Sequence, residues 1–267
     1  MTTFHTSLIY LLALLPLAAA EPSKPLSKDV ITAMKQVHAD FTGQEGYIAQ
    51  FGDSITYSMA FWSPMSWDRP EKYLSTDDGL PKLPTKDQRW SEYMKGARDK
   101  GTKFANYSGW TIDQVLAASD DALNHNRPMA VIIMIGTNDI SGNKTPADYP
   151  NKLEQLIKKC LAAKCVPILN TIPPRRDHAE AVSAINDHIR AIATHHQIPM
   201  VDFHAACLAA QPDGAWDSTL ISKDGVHPSG GKTNVYTPEN LKTSGYALRN
   251  WLNFLVIRQL ATEVFTR

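Results

Sequence analysis

Neither sign of charge predominates in this 267-residue chain, where 27 Lys and Arg stand against 27 Asp and Glu. No run of four or more Lys or Arg occurs. A neutral chain without basic clusters lacks the electrostatic footprint of nucleic-acid binding and of a polybasic membrane patch. Nucleic acid is therefore not an expected partner. Disorder is excluded too: 43% of the residues are hydrophobic and the net charge is zero, the reverse of a disordered composition. Cysteine is scarce, with three residues, and an α/β domain of this length buries a full core without disulfides. Cys160 and Cys165 are close enough in sequence to bridge in an oxidising compartment; the alternative is two small buried residues.

Long apolar runs are also missing, apart from one at the start. Leu8 to Leu17 is apolar except for Tyr10, and Ala18-Ala19-Ala20 follows. This matches a secretory h-region with a small-residue cleavage site, although Met1 to Ser7 carries no Lys or Arg. The run is shorter than the roughly 20 residues that span a bilayer. Residues 1–20 are thus expected to be a signal peptide, with export to a periplasm or the medium. The alternative is an uncleaved N-terminal anchor. No integral membrane span is expected in the mature chain, residues 21–267, which reads as a single domain.

That part alternates between two periods. Short apolar runs bounded by Gly, Pro and Asn read as buried parallel strands at 46–52, 103–107, 129–136, 166–171 and 198–203. Amphipathic stretches read as helices at about 88–100, 111–124, 147–163, 179–195 and 243–260. Strand–helix repetition predicts an α/β/α sandwich around a five-stranded parallel sheet, flavodoxin-like, in the order 2-1-3-4-5. Ligands of such sheets bind beyond the carboxyl ends of the strands. An insertion at about residues 57–90 has no clear period and holds Phe61, Trp62, Trp67, Tyr73 and Trp90.

Four short segments fall on that rim. Gly52-Asp53-Ser54 ends the first strand, where a tight turn projects a hydroxyl and leaves backbone N–H groups facing outward. Asp224 and His227 share a Gly/Pro-rich loop at a three-residue spacing, so one turn can present both. The carboxylate would then hold Nδ1–H and leave Nε2 for the serine. Asn138 follows the most apolar strand and can aim its amide at a developing oxyanion. Gly109 permits a backbone N–H to approach a ligand closely. Taken singly, Gly52-Asp53-Ser54 reads more readily as a helix cap, the Gly109 and Asn138 segments as turns, and Asp224 with His227 as loop structure or a metal site. The rival histidines, His204 and the pair His195-His196, read as strand-end and helix-surface residues.

Together and in this order, FGDSIT, NYSGWT, IGTND and DGVHPS resemble the four blocks of an SGNH hydrolase of the GDSL esterase superfamily. The resemblance implies Ser54 as nucleophile, His227 as base and Asp224 as its orienting acid. It implies an oxyanion hole made of the Ser54 and Gly109 N–H groups and the Asn138 side chain. It implies no metal and no organic cofactor.

The reading is an exported serine esterase. An O-acetylated carbohydrate is the expected substrate, with Trp62 and Trp67 stacking on sugar rings and Arg175 meeting an anionic substrate group. For those aromatics the alternative is a packed lid or accessory core, and for Arg175 a solvated charge. The runner-up is a lysophospholipase or short-chain lipid esterase, with Met59, Phe61, Trp62 and Met65 lining an apolar groove. A non-catalytic carbohydrate-binding module on the same fold is the third. Asn106-Tyr-Ser and Asn143-Lys-Thr are glycosylation sequons, Asn106 being too near the site to carry a glycan.

Overall fold

A computed structural model describes residues 25–67, 70–74, 90–140 and 145–266. The expected signal peptide, most of the later half of the insertion and Asn143 lie outside the described residues. Four strands form one parallel sheet in chain order: β1 (Gln44–Gly52), β2 (Pro128–Met134), β3 (Val166–Asn170) and β4 (Met200–Val201). All of β2 and β3 is buried, as is β1 from Gly46 onward. Uninterrupted burial is why these strands read as continuous apolar runs: helices cover both faces of the sheet.

Helix α1 (Lys28–Ala39) precedes β1, and the single turn α2 (Ser54–Tyr57) follows it. Right-handed crossovers place α3 (Ile112–Asn126), α4 (Tyr149–Ala162) and α5 (Ala179–His195) side by side on one face. Helix α6 (Phe203–Ala210) and the short α7 (Pro238–Leu241) lead to α8 (Gly245–Glu263), which packs with α1 on the other face. Almost all of α8 is buried, so it is apolar nearly all round. Its buried exceptions are Arg249, Asn250, Asn253, Arg258 and Gln259, the first three forming a polar stripe.

Two expected elements are different. The segment 103–107 is not a strand, so the sheet has four strands rather than five. Thr102–Phe104 is a 3-10 turn and Ala105 takes φ 53°, a left-handed conformation. One parallel bridge remains, Gly52 to Asn106, on the edge of β1 where the order 2-1-3-4-5 puts strand 2. Asn106 replaces the rest of the ladder: its buried amide donates to the Gln50 carbonyl at 2.8 Å and its Oδ1 accepts from Gly101 N–H at 3.1 Å. That burial also leaves no room for a glycan. The second difference is at 88–100, where the described residues, 90–100, form no α-helix. Trp90–Met94 is a 3-10 turn, and the Lys95 carbonyl accepts from Ile48 N–H of β1 at 3.0 Å. Gly96, at φ +80°, turns the chain there, where an added Cβ would meet the Tyr47 ring.

The insertion is largely core. Phe61 and Trp62 are fully buried, and Met65 nearly so. Trp62 meets Trp90 edge-on at 5.7 Å, and Trp90 meets Phe254 of α8 at 4.6 Å. The Trp62 N–H donates to Asn250 Oδ1 at 2.8 Å, which holds its backbone at φ 63°. Trp62 therefore offers no face to a sugar, and the expected stacking role falls. Phe61, Trp62 and Met65 offer no groove to a lipid either. Trp67 is exposed at the end of the same turn. Cys160, Cys165 and Cys207 are all free and buried, and burial pushes the Cys160 thiol up to about 12. Among the described residues no helix is long and apolar enough to cross a membrane.

Candidate active site

Ser54 is the first residue of α2, directly beyond the carboxyl end of β1. Asp53 caps that turn, its Oδ1 accepting from Ile55 N–H at 3.0 Å. Gly52 must be glycine: an added Cβ would sit 2.2 Å from the Met134 carbonyl oxygen. The hydroxyl is half-buried, and Ser54 Oγ lies 2.8 Å from His227 Nε2.

His227 owes its direction to the loop around it. Ile221 and Pro228 form an antiparallel bridge, Ser222 N–H donates to the His227 carbonyl at 2.8 Å, and Gly225 sits at φ +73°. Inside this tight turn Asp224 Oδ1 accepts from Ser222 Oγ, Val226 N–H and His227 N–H at 2.7, 2.9 and 3.0 Å. Its Oδ2 lies 2.7 Å from His227 Nδ1. Partial burial opposes ionisation of Asp224, but these donors outweigh it and hold the carboxyl well below the usual carboxylate range. Ser54, His227 and Asp224 thus form one hydrogen-bonded chain, with Nε2 left facing the serine.

The neighbouring loops are fastened to one another. Asn138 is exposed between buried Thr137 and Asp139, and its Nδ2 donates to the Trp110 carbonyl at 3.0 Å. Gly109 precedes Trp110 at φ +79°, with open space where a Cβ would stand. Asp139 accepts from the first N–H of α3, Ile112, at 3.1 and 3.2 Å. Arg175 donates from Nη1 to the Thr137 carbonyl at 2.7 Å, which binds it to the Asn138 loop instead of leaving it a free solvated charge. Three aromatics border this ground: Tyr57 of α2 packs on Tyr107 at 5.1 Å, and Tyr107 on Trp110 at 6.1 Å.

Several supporting residues gave little sequence signal. Arg176 pairs bidentately with Asp217 at 2.8 and 2.7 Å, donates to the Lys223 carbonyl at 3.2 Å, and its own N–H donates to the Gly225 carbonyl at 2.9 Å. It therefore clamps the acid–base loop to the β3–α5 connection. Arg249 is fully buried over the Phe61 ring at 3.5 Å and donates to the Ile55 carbonyl and Thr56 Oγ1, both at 3.1 Å. Lys100 Nζ donates to the Thr56 carbonyl at 2.7 Å, and burial lowers its pKa to about 7. Two basic side chains thus satisfy the carboxyl end of the turn that starts with Ser54. The interruption of an apolar helix by Arg249, Asn250 and Asn253 was the one available signal for this network.

The family model for the GDSL-like lipase/acylhydrolase family matches residues 51–230. The chain belongs to that family. All four segments around Ser54, Gly109, Asn138 and His227 lie within the match, which makes the chain an ester-cleaving hydrolase of the GDSL type. Solved structures share its fold. A lipase/acylhydrolase from Enterococcus faecalis is 21% identical, with 80% of this chain and 95% of that chain covered and a TM-score of 0.51. A GDSL-like lipase from Bacteroides thetaiotaomicron is 18% identical, with coverages of 88% and 98% and a TM-score of 0.51. The psychrotrophic esterase EstA from Pseudoalteromonas sp., in a structure inhibited by monoethylphosphonate, is 19% identical, with coverages of 80% and 98% and a TM-score of 0.52. A comparison with curated proteins returns no match.

Within this GDSL-family site Asp53 makes a pH prediction. It is fully buried, its Oδ2 has no hydrogen-bond partner among the described residues, and burial raises its carboxyl to about 6 despite the Ile55 N–H, Arg249 and His227. A raised folded pKa means that the native state holds the proton more tightly than the unfolded chain does. The resulting stability is present below the unfolded value near about 3.9 and is lost as pH rises through about 6. Asp53→Asn keeps a capping oxygen but cannot ionise. It should gain on the wild type by roughly 2–3 kcal/mol between pH 4 and pH 7, at about 1.36 kcal/mol per unit. Urea unfolding across that range measures it; a constant difference contradicts a titrating Asp53.

Proposed function

We propose that this chain is a serine esterase that removes a short acyl group, acetyl, from a carbohydrate through an acyl-enzyme. The observation that carries the mechanism is the continuous chain from Ser54 Oγ to His227 Nε2 at 2.8 Å and from His227 Nδ1 to Asp224 Oδ2 at 2.7 Å. Ser54 attacks the ester carbonyl while His227 takes its proton, and His227 returns that proton to the departing alcohol. Water, with its proton taken by His227, then cleaves the acyl-serine. Asp224 holds the imidazole in the productive tautomer. The Ser54 and Gly109 N–H groups and the Asn138 amide receive the oxyanion. Arg175 stands beside the Asn138 loop for an anionic group on the carrier.

Two observations favour a short acyl group on a sugar. Of the four apolar side chains expected to line a lipid groove, Phe61, Trp62 and Met65 are spent in the core and Met59 alone faces solvent. Besides Trp67, which is exposed at the end of its turn, three solvent-facing aromatics flank the oxyanion ground itself: Tyr107 is exposed, and Tyr57 and Trp110 are half-buried beside it. They replace Trp62 as the surface on which a sugar ring would stack. Export agrees with a glycan substrate and rests on the N-terminal sequence.

A series of chromogenic esters from two to eight carbons tests this reading, and acetate is expected to be cleaved fastest. Tyr107→Ala should lower kcat/KM on an acetylated oligosaccharide by roughly two- to tenfold, from about 0.5–1.5 kcal/mol of stacking. The same variant should spare a small acetate ester. Faster cleavage of the eight-carbon ester would make the enzyme a lipid esterase. No cleavage of any ester would make the fold a binding module.

A further inference from the structure

On the outer face of the sandwich, away from Ser54, three ligand-type side chains converge without a role in ester cleavage. Glu154 lies on α4, while His195 and His196 end α5. Helix α5 starts near the carboxyl rim of the sheet and runs back, so its end lies at the opposite edge. One ligand atom from each residue falls within 4.8 Å of the others, and this is the only such trio among the described residues. The two imidazoles meet at 4.8 Å between centroids, nearly perpendicular at 82°.

The separations decide between a hydrogen-bonded cluster and an ion site. His196 Nε2 is buried and has no hydrogen-bond partner among the described residues, although Glu154 Oε1 is its neighbour at 3.6 Å. That gap is too long for a hydrogen bond. It suits two atoms sharing one ion: at about 2.1 Å per bond and a tetrahedral angle, ligand atoms lie about 3.4 Å apart. A buried ring nitrogen without a partner is costly, and an ion would satisfy it. Lys158 Nζ occupies Glu154 Oε1 at 2.8 Å, but its side chain is 63% exposed and can swing into water. His195 is exposed, so its ring is free to turn the remaining distance.

We propose that Glu154, His195 and His196 bind one divalent transition-metal ion of the zinc class. Two imidazoles and one carboxylate suit Zn²⁺ and disfavour Mg²⁺ or Ca²⁺, which take oxygen ligands. Water completes the coordination. The ion would tie the end of α5 to α4 and act on stability, since it binds only where the two helices are in register.

The test uses the full protein stripped with chelator and titrated with ZnCl₂ by calorimetry. One site per chain is expected, with micromolar affinity. At a hundredfold excess over Kd the thermal midpoint should rise by about 5–10 °C. MgCl₂ should do neither. His195→Ala alters an exposed residue, and Glu154→Gln keeps the side chain's shape; each should weaken Zn²⁺ binding by at least about tenfold and abolish the thermal shift. His227→Ala should bind as the wild type does, and saturating Zn²⁺ should leave acetate-ester hydrolysis unchanged. Wild-type binding weaker than about 1 mM overturns the proposal. So do undiminished binding in His195→Ala and Glu154→Gln, or loss of binding in His227→Ala.

Discussion

Ser54→Ala is expected to lower ester hydrolysis by at least about a thousandfold while the protein folds normally. The hydroxyl donates no structural hydrogen bond that the cap needs: α2 is held by Asp53 at its start, and by Arg249 and Lys100 at its end. Methyl for hydroxymethyl at a half-buried position leaves those bonds in place. His227→Ala should lose about as much, because nucleophile and base act as a unit, and the double variant should lose little more. Single-turnover kinetics on a chromogenic acetate, with circular dichroism to verify folding, give the readout. Substantial turnover by purified Ser54→Ala would sink the mechanism.

The second large effect concerns Asn138. Its replacement by Ala should reduce kcat by roughly a hundred- to a thousandfold, or about 2.7–4 kcal/mol, with little change in KM. A donor aimed at the oxyanion strengthens only as charge develops on the carbonyl oxygen, so the ground state scarcely feels its loss. The amide has two N–H donors; one is engaged with the Trp110 carbonyl at 3.0 Å, which leaves the other for the substrate. The same bond ties the Gly109 loop to the Asn138 loop. If the variant acted only by loosening Gly109, substrate positioning would suffer and KM would rise. A raised KM with kcat spared would make Asn138 a substrate-binding group.

Much of the architecture was readable because burial leaves a local trace. Strands β1, β2 and β3 are covered on both faces, so each shows as an unbroken apolar run near its true position. Helix α5 matches its expected bounds, residues 179–195, since one face meets the sheet and the other meets water. The edge was misread for the same reason: 103–107 has strand-like residues, but an edge has one neighbour. There the side chain of Asn106 substitutes for the ladder. Helices α1 and α6 have no counterpart among the elements expected from periodicity.

The aromatic insertion shows where local reading ends. Its sequence could not distinguish a sugar platform from a core, because aromatic side chains serve both. Packing against Trp90 and Phe254 sends Trp62 inward, while Tyr107, in a segment taken for a strand end, is the ring left at the rim.

Composition, periodicity and four short motifs were enough for the α/β class and for placing Ser54, Gly109, Asn138 and His227 at one rim; ester chemistry came from the resemblance of those motifs to the GDSL family. Each of these depends on the residue type and its near neighbours: a glycine that admits φ > 0, an acid three positions from a histidine, an apolar run between breakers. Tertiary structure alone decided what required partners far apart in the chain. Ser54 meets His227 across 173 positions, and Arg249 reaches the Ser54 turn across 194. Arg176 grips the Asp224 loop, and His196 faces Glu154. Such pairings follow from how helices stack on a sheet, and no local pattern encodes that packing.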